Sequence, residues 1–124
     1  MNKKILILSF LSVLFLAAGP IRAAIGVTNL RTEQLKNPSG IDTHQPRLGW
    51  RIESNEQNVM QTAYHILVAS SPDLLAQGKG DMWDSGKVET DASQWITYQG
   101  ENLKRNAPYF WKVKVYTNKG ESDW

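Results

Sequence analysis

Apolar and polar residues alternate with a period of two through most of the chain. Leu48, Trp50 and Ile52 share one face of such a segment, and the intervening positions are charged or glycine. This alternation predicts a strand that is buried on one side. Two further strong strands are predicted over residues 62–69 and 109–116. The first of these is apolar on both faces, which is typical of a central strand.

Shorter or weaker strands are predicted over residues 27–32, 83–88 and 95–98. Turn-forming clusters rich in Gly, Pro, Asn, Asp and Ser separate all of these segments, and residues 73–77 form the one predicted helical turn. Short strands at intervals of about ten residues predict an all-β domain, an antiparallel β-sandwich.

One spacing sharpens this prediction. Leu103 precedes Tyr109 by six residues, and Trp111, Val113 and Val115 follow at alternate positions. This is the pattern of a tyrosine corner, in which a tyrosine at the start of a late strand is hydrogen-bonded to the preceding loop. With Trp50 as the core aromatic residue between the sheets, the pattern resembles a fibronectin type III or immunoglobulin-like sandwich.

A sandwich of this kind has seven strands, and the last should follow the turn that ends at Gly120. Four residues remain after that glycine. We therefore expect the last strand to be missing and the domain, residues 24–124, to be incomplete at its C-terminus. An uncovered strip of core would be left beside the preceding strand.

The first 23 residues have the layout of a secretory signal peptide. Lys3 and Lys4 precede a twelve-residue, largely apolar stretch that ends at Leu16, and small residues follow. The apolar stretch is shorter than the ~20 residues of a membrane-spanning helix. We expect cleavage after Ala23 and an exported protein, either periplasmic or extracellular.

Charge and composition narrow the function classes. Of 14 basic and 12 acidic residues, three basic ones lie in the leader, so residues 24–124 carry 11 against 12. This balance gives no basis for binding nucleic acid, nor for binding a membrane after signal cleavage. The chain has no cysteine. Disulfides, thiolate metal sites and thiol nucleophiles are therefore excluded.

Two acidic pairs and two histidines are candidates for catalysis or metal binding: Asp81 with Asp84, Glu89 with Asp91, His44 and His65. A glycosidase needs two carboxylates held ~5 to 9.5 Å apart. Carboxylates in short loops of a sandwich are usually solvated or cap turns, and two scattered histidines are too few for a metal. We expect no catalytic residue, metal ligand or cofactor in this chain.

Aromatic residues leave two other function classes open. Trp50 and Trp111 alternate with polar residues and are assigned to the core. A freestanding carbohydrate-binding module would instead need Trp83, Trp95 or Tyr98 exposed in a line on one face. A structural or adhesion module of a surface protein is the second alternative.

A longer set of residues resembles a known family. The chain is similar, in order over residues 27–124, to the N-terminal region of bacterial α-L-rhamnosidases of glycoside hydrolase family 78. The segments that carry the resemblance are Leu30–Asp42, Gln45–Trp50, Gln61–Ser70, Trp83–Val88 and Tyr109–Val113.

In that family the region is a fibronectin type III-like sandwich that precedes further β-domains and an (α/α)6-barrel. The resemblance implies an exported parent enzyme that removes terminal α-L-rhamnose with inversion, using two carboxylates of the barrel. None of these carboxylates corresponds to a residue of this chain. The implied partners are downstream domains of the same polypeptide and, as a further expectation, carbohydrate.

Overall fold

The structure is a computed structural model that describes residues 24–34 and 44–124. The predicted leader and one of the turn-forming clusters, at residues 37–40, lie outside these residues. The elements are β1 (Ile25–Thr32), β2 (Arg47–Ser54), β3 (Gln61–Ala69), α1 (Pro72–Ala76), β4 (Trp83–Val88), β5 (Ile96–Thr97), β6 (Phe110–Thr117) and β7 (Gly120–Glu121). Each strand predicted from the sequence is present.

The strands form two antiparallel sheets. The three-stranded sheet has the order β1-β2-β5, and the four-stranded sheet has the order β4-β3-β6-β7. The predicted antiparallel β-sandwich is confirmed. Within the described residues, no helix is long and apolar enough to cross a membrane.

The core lies between the sheets and consists of alternate residues of β2, β3 and β6, together with a tyrosine that follows β5. Its fully or almost fully buried members are Leu48, Trp50, Tyr64, Ile66, Val68, Tyr98, Val113 and Val115. Trp50 packs edge-on against Tyr64 at 5.3 Å between ring centroids. The core aromatic role predicted for Trp50 is confirmed, and Trp111 packs against the same cluster while partly buried.

A buried polar network joins the two sheets through Gln61. The Trp50 Nε1–H donates to Gln61 Oε1 at 3.0 Å. Gln61 Nε2 donates in turn to the carbonyls of Thr90 and Ala92 at 3.1 and 2.8 Å. Both ends of the amide are therefore satisfied, as burial of a polar side chain requires. The network positions the segment that leads from β4 to β5.

The outer face of the four-stranded sheet is partly buried as well. Leu67 and Ala69 point away from the core on β3, yet their exposed fractions are 2% and 0%. Gly80 covers Leu67 closely, since a Cβ built at position 80 would lie 3.0 Å from Leu67 Cδ2. Helix α1 begins with Ser71, whose hydroxyl accepts from the Leu74 N–H. The prediction that both faces of this strand are apolar and buried is confirmed.

The predicted tyrosine corner is present at the start of β6. The Lys104 N–H donates to the Tyr109 hydroxyl at 2.8 Å. Another tyrosine, Tyr98, is buried, and its hydroxyl lies 2.6 Å from the Glu101 carbonyl and 3.1 Å from that of Met82. Burial raises the pKa of Tyr98 to about 12, and the nearby Glu101 carboxylate adds to the shift.

The strand that we expected to be missing is present as the two residues of β7. They pair with Tyr116 and Thr117 of β6. Ser122 extends the pairing, because its N–H donates to the Val115 carbonyl and its hydroxyl accepts from the Val115 N–H, each at 2.9 Å. The side chain of Trp124 then lies across the outer face, 5.0 Å from the ring of His65.

Candidate functional site

Side chains from three segments meet on the outer face of the three-stranded sheet. Gly49 of β2 has no side chain there, and Gln94 lies across it: a Cβ built on Gly49 would be 2.6 Å from Gln94 Oε1. Gln94 Nε2 donates to the Trp50 carbonyl at 2.7 Å, and Gln34 Nε2 donates to Gln94 Oε1 at 3.2 Å. The glycine therefore provides room for a pair of linked amides on the sheet surface.

A bulge in β1 brings a third amide and a guanidinium to the same place. Thr28 pairs with Arg51 and Arg31 pairs with Gly49, so β1 has one residue more than β2 in this interval. Asn29 lies in the bulge with φ 53°, a conformation that asparagine tolerates better than most residues. Arg31 Nε donates to Asn29 Oδ1 at 3.0 Å, and Nη1 donates to the Gln34 carbonyl at 3.4 Å.

Together these groups line a polar cleft of about 190 Å³, which we call the arginine cleft: Asn29, Arg31, Gln34, Arg51 and Gln94. The side chain of Arg51 is exposed and forms no hydrogen bond or ion pair with the residues that the structure describes. None of the described lining residues is acidic. The cleft thus carries two positive charges without a compensating carboxylate in its lining.

A charged stack lies at the nearby end of β2. Arg47 Nη2 is 2.8 Å from Glu33 Oε2, and Glu33 Oε1 accepts from the Arg47 backbone N–H at 2.6 Å. The hydrogen bonds from Arg47 lower the pKa of the Glu33 carboxyl. On its other side, the guanidinium lies 4.5 Å from the ring centroid of Trp95, which is 54% exposed and has φ 58°.

The predicted acidic pairs have structural partners or lie on the surface. Asp81 accepts from both the N–H and the hydroxyl of Ser70, at 2.9 and 2.5 Å, and these bonds lower its pKa. The pKa of Asp84 is lowered first by the Gly86 N–H and then by His65 Nε2. A glycosidase general acid needs a raised pKa, so both shifts have the wrong sign for that role. Glu89 and Asp91 are exposed.

The two histidines have different hydrogen-bond partners, on different segments of the chain. His44 Nδ1 donates to the Leu103 carbonyl at 3.0 Å and so joins two loops. His65 Nε2 lies 2.5 Å from Asp84 Oδ1 on the outer face of the four-stranded sheet. The described residues contain no group of three or more His, Asp or Glu placed to hold a metal ion.

The three aromatic residues considered for a sugar platform do not form one. Tyr98 is buried, and Trp83 packs edge-on against it at 5.3 Å while itself partly buried. Trp95 alone of the three is exposed, and Arg47 covers part of its ring. The linear platform that a carbohydrate-binding module of that kind needs is therefore absent among these three residues.

Comparison with known proteins identifies the fold at the level of a family. A family model described as "Rha78A-like, N-terminal immunoglobulin domain" matches residues 27–124. The chain belongs to this family. The match covers both sheets of the sandwich, and with them the arginine cleft, the tyrosine corner and the Gln61 network.

Relatives of the Rha78A-like N-terminal domain are long enzymes. An α-L-rhamnosidase of Formosa agariphila is 43% identical over 89 residues, which are 71% of this chain and 9% of that protein. The α-L-rhamnosidase of Streptomyces avermitilis, whose crystal structure was determined in complex with L-rhamnose, is 40% identical. Its structure aligns with a TM-score of 0.76 over 82% of this chain and 10% of that one.

A third α-L-rhamnosidase, from Dictyoglumus thermophilum, aligns with a TM-score of 0.76 and 35% identity over 79% of this chain. The Rha78A-like chain thus spans about a tenth of the length of the relatives that it matches. The similarity to the N-terminal region of α-L-rhamnosidases that the sequence indicated is confirmed.

Sequence reasoning did not select the residues of the arginine cleft. The alternation along β2 places Arg51 on a solvated strand face, and no pattern in the sequence indicates Gln94. Two signals could have found them: a glycine within the otherwise strong strand β2, which suggests close approach of another group, and two arginines on neighbouring strands with no acidic residue opposite.

Proposed function

We propose that this chain is the non-catalytic, N-terminal accessory domain of an exported α-L-rhamnosidase and that it packs against and positions neighbouring domains. The parent enzyme would release terminal α-L-rhamnose from glycans or glycosides. The observation that carries the proposal is the match over residues 27–124 to a domain that forms about a tenth of each α-L-rhamnosidase. The signal-peptide pattern of residues 1–23 supports export.

The chemistry of the surface supports a packing role. The exposed large apolar side chains include Met60, Trp95 and Trp124. Tryptophan is enriched at the centres of protein interfaces, where burying it contributes more than burying most other residues. The two acidic pairs, by contrast, are bound to turns or lie on the surface, and the pKa values of Asp81 and Asp84 are lowered by their hydrogen bonds, whereas a general acid needs a raised one.

A domain exchange tests the positive part of this proposal. In the Streptomyces avermitilis enzyme, the matching N-terminal segment would be replaced by residues 27–124 of this chain. We expect the chimera to retain activity on an aryl α-L-rhamnoside and to melt cooperatively, whereas deletion of the segment should lower its melting temperature. A chimera no more stable than the deletion variant would contradict the packing role.

A simpler assay tests the second part of the proposal, that this chain is not catalytic. The purified chain is expected to release no rhamnose from p-nitrophenyl α-L-rhamnoside above the buffer rate, with the Streptomyces avermitilis enzyme as the positive control. Release that rises in proportion to the concentration of the chain would contradict the assignment. Substituting Asp81 and Asp84 by Asn would then show whether these carboxylates are responsible.

A further inference from the structure

The arginine cleft has the properties of a binding site that the packing role does not require. It lies on the solvent-facing side of β1 and β2, and its volume of about 190 Å³ is below the roughly 300 to 1,000 Å³ of sites for drug-sized ligands. A cleft of this size has room for one small polar molecule or for a single unit of a longer chain. It is open to solvent at Arg51, which is exposed.

We propose that the arginine cleft binds a carboxylate-bearing monosaccharide unit, a uronic acid residue of a glycan. The guanidinium groups of Arg31 and Arg51 would bind the carboxylate of the ligand. The guanidinium of Arg51 has no partner among the described residues, and the two bonds from Arg31 leave three of its five side-chain N–H groups available. Guanidinium groups bind carboxylates by paired, charge-assisted hydrogen bonds, the strongest that side chains form.

The amide groups of the cleft would bind the hydroxyl groups of the sugar. Asn29, Gln34 and Gln94 each carry a donor and an acceptor, which is the combination that a hydroxyl group can use in both directions. Gln34 is bonded to Gln94, and Gln94 is bonded to the Trp50 carbonyl. The amides are therefore held in place before a ligand arrives, and binding costs less side-chain entropy.

Charge favours a sugar acid over a neutral sugar at this position. Glu33, which precedes Gln34 in the chain, is bound to Arg47 and so does not neutralise the cleft. Binding would bring a negative charge to two positive ones at the surface, where salt screens the attraction. The proposal does not rest on the reaction proposed for the parent enzyme.

The experiment is a titration of the full ¹⁵N-labelled chain, followed by NMR, with sodium D-glucuronate as the probe. We expect the side-chain amide signals of Gln34 and Gln94 to shift with a dissociation constant in the millimolar range. D-glucose should bind with a dissociation constant at least tenfold higher. Raising NaCl from 50 to 500 mM should weaken glucuronate binding. Equal shifts with glucose and glucuronate would overturn the proposal.

Acetate and N-acetylglutamate distinguish the sugar from a bare carboxylate. If either acid binds as tightly as glucuronate, the cleft recognises a carboxylate alone, as an acidic side chain of a neighbouring domain would provide, and the sugar assignment is wrong. Absence of shifts at Gln34 and Gln94 with all of these probes would also refute it.

Two substitutions that remove the same charge test whether binding depends on the cleft itself. Arg51→Gln should weaken glucuronate binding about tenfold while the backbone spectrum outside the cleft stays unchanged. Arg105→Gln removes the same charge from an exposed loop between β5 and β6 and should leave binding unchanged. Equal weakening by both variants would indicate net charge as the cause and would contradict a defined site.

Discussion

The two sheets differ in what covers their outer faces. In the four-stranded sheet, β3 is buried on both sides, because Gly80, α1 and the C-terminal residues lie against its outer surface. In the three-stranded sheet the outer face carries arginines and amides around a cleft. Burial on both faces stabilises a strand, whereas a polar outer face leaves side chains available for a ligand. Both sheets contribute their inner faces to the core, so the difference between them lies in their outer faces.

The same contrast appears in how glycines are used. Gly100 lies against backbone and near-backbone atoms, since a Cβ there would be 2.3 Å from the Met82 carbonyl oxygen and 2.4 Å from Trp83 Cβ. Gly49 lies against the flexible end of Gln94. A clash with backbone is relieved only by moving the chain, whereas a side chain can rotate away. Substitutions at these glycines test the comparison directly.

Gly100→Ala is expected to have the largest effect. The new methyl group would displace the start of β4 and the Tyr98 hydroxyl, and overpacking against backbone should cost about 3 kcal/mol or more of unfolding free energy. Urea unfolding followed by tryptophan fluorescence would measure the loss. Gly26→Ala is the matched control, because a Cβ at position 26 has nothing within 4 Å. Similar stabilities for the two variants would contradict the assigned packing.

Leu67→Ala is expected to rank next and tests the covered outer face. Truncation of this buried side chain should cost about 2 to 3 kcal/mol, the lower part of the usual range, because the loop at Gly80 can partly close the cavity. Arg51→Ala on the outer face of the other sheet should change stability by less than about 0.5 kcal/mol. Thermal melting of both variants would check the difference; equal losses would remove the distinction between the sheets.

Gly49→Ala should cost about 1 kcal/mol, because Gln94 would rotate away and lose its bonds to the Trp50 carbonyl and to Gln34. The same rotation would dismantle the arginine cleft, so glucuronate shifts should disappear while the fold persists. A loss of stability as large as that of Gly100→Ala would show that the backbone at Ser93, and not the amide, limits the space.

Acidification is expected to have the smallest effect on the stability of the domain. The pKa of Asp84 is lowered in the folded protein by the Gly86 N–H and by His65. The contribution of Asp84 to the free energy of unfolding is therefore fully present above its pKa in the unfolded chain, 3.8. This contribution is lost as the pH falls through its lower pKa in the folded protein. Since the carboxylate is half-exposed, the loss should be about 0.5 kcal/mol.

Urea midpoints at pH 6 and pH 2.5 would measure this loss. Asp84→Asn should reduce the difference between the two midpoints, whereas Glu89→Gln, an exposed carboxylate at the end of β4, should preserve it. If Asp84→Asn leaves the difference unchanged, the acid sensitivity arises from other carboxylates, of which Asp81 and Glu33 also have lowered pKa values.

Sequence reasoning predicted the fold far better than the cleft. Alternation of apolar residues depends on local backbone geometry, so the faces of β2, β3 and β6 could be read directly. The spacing of Leu103 and Tyr109 likewise indicated the tyrosine corner. The cleft depends on a bulge at Asn29 and on contact between Gln34 and Gln94, which are sixty residues apart. Such contacts have no local signature in a single sequence.

The buried indole of Trp50 has a consequence for the motions of the domain. Its N–H is hydrogen-bonded to Gln61, and the side chain has no exposed surface. Solvent can reach this proton only when the two sheets separate, so its exchange with deuterium would follow opening of the whole sandwich and not local fraying. Exchange of this one indole proton thus reports the free energy of opening of the entire domain.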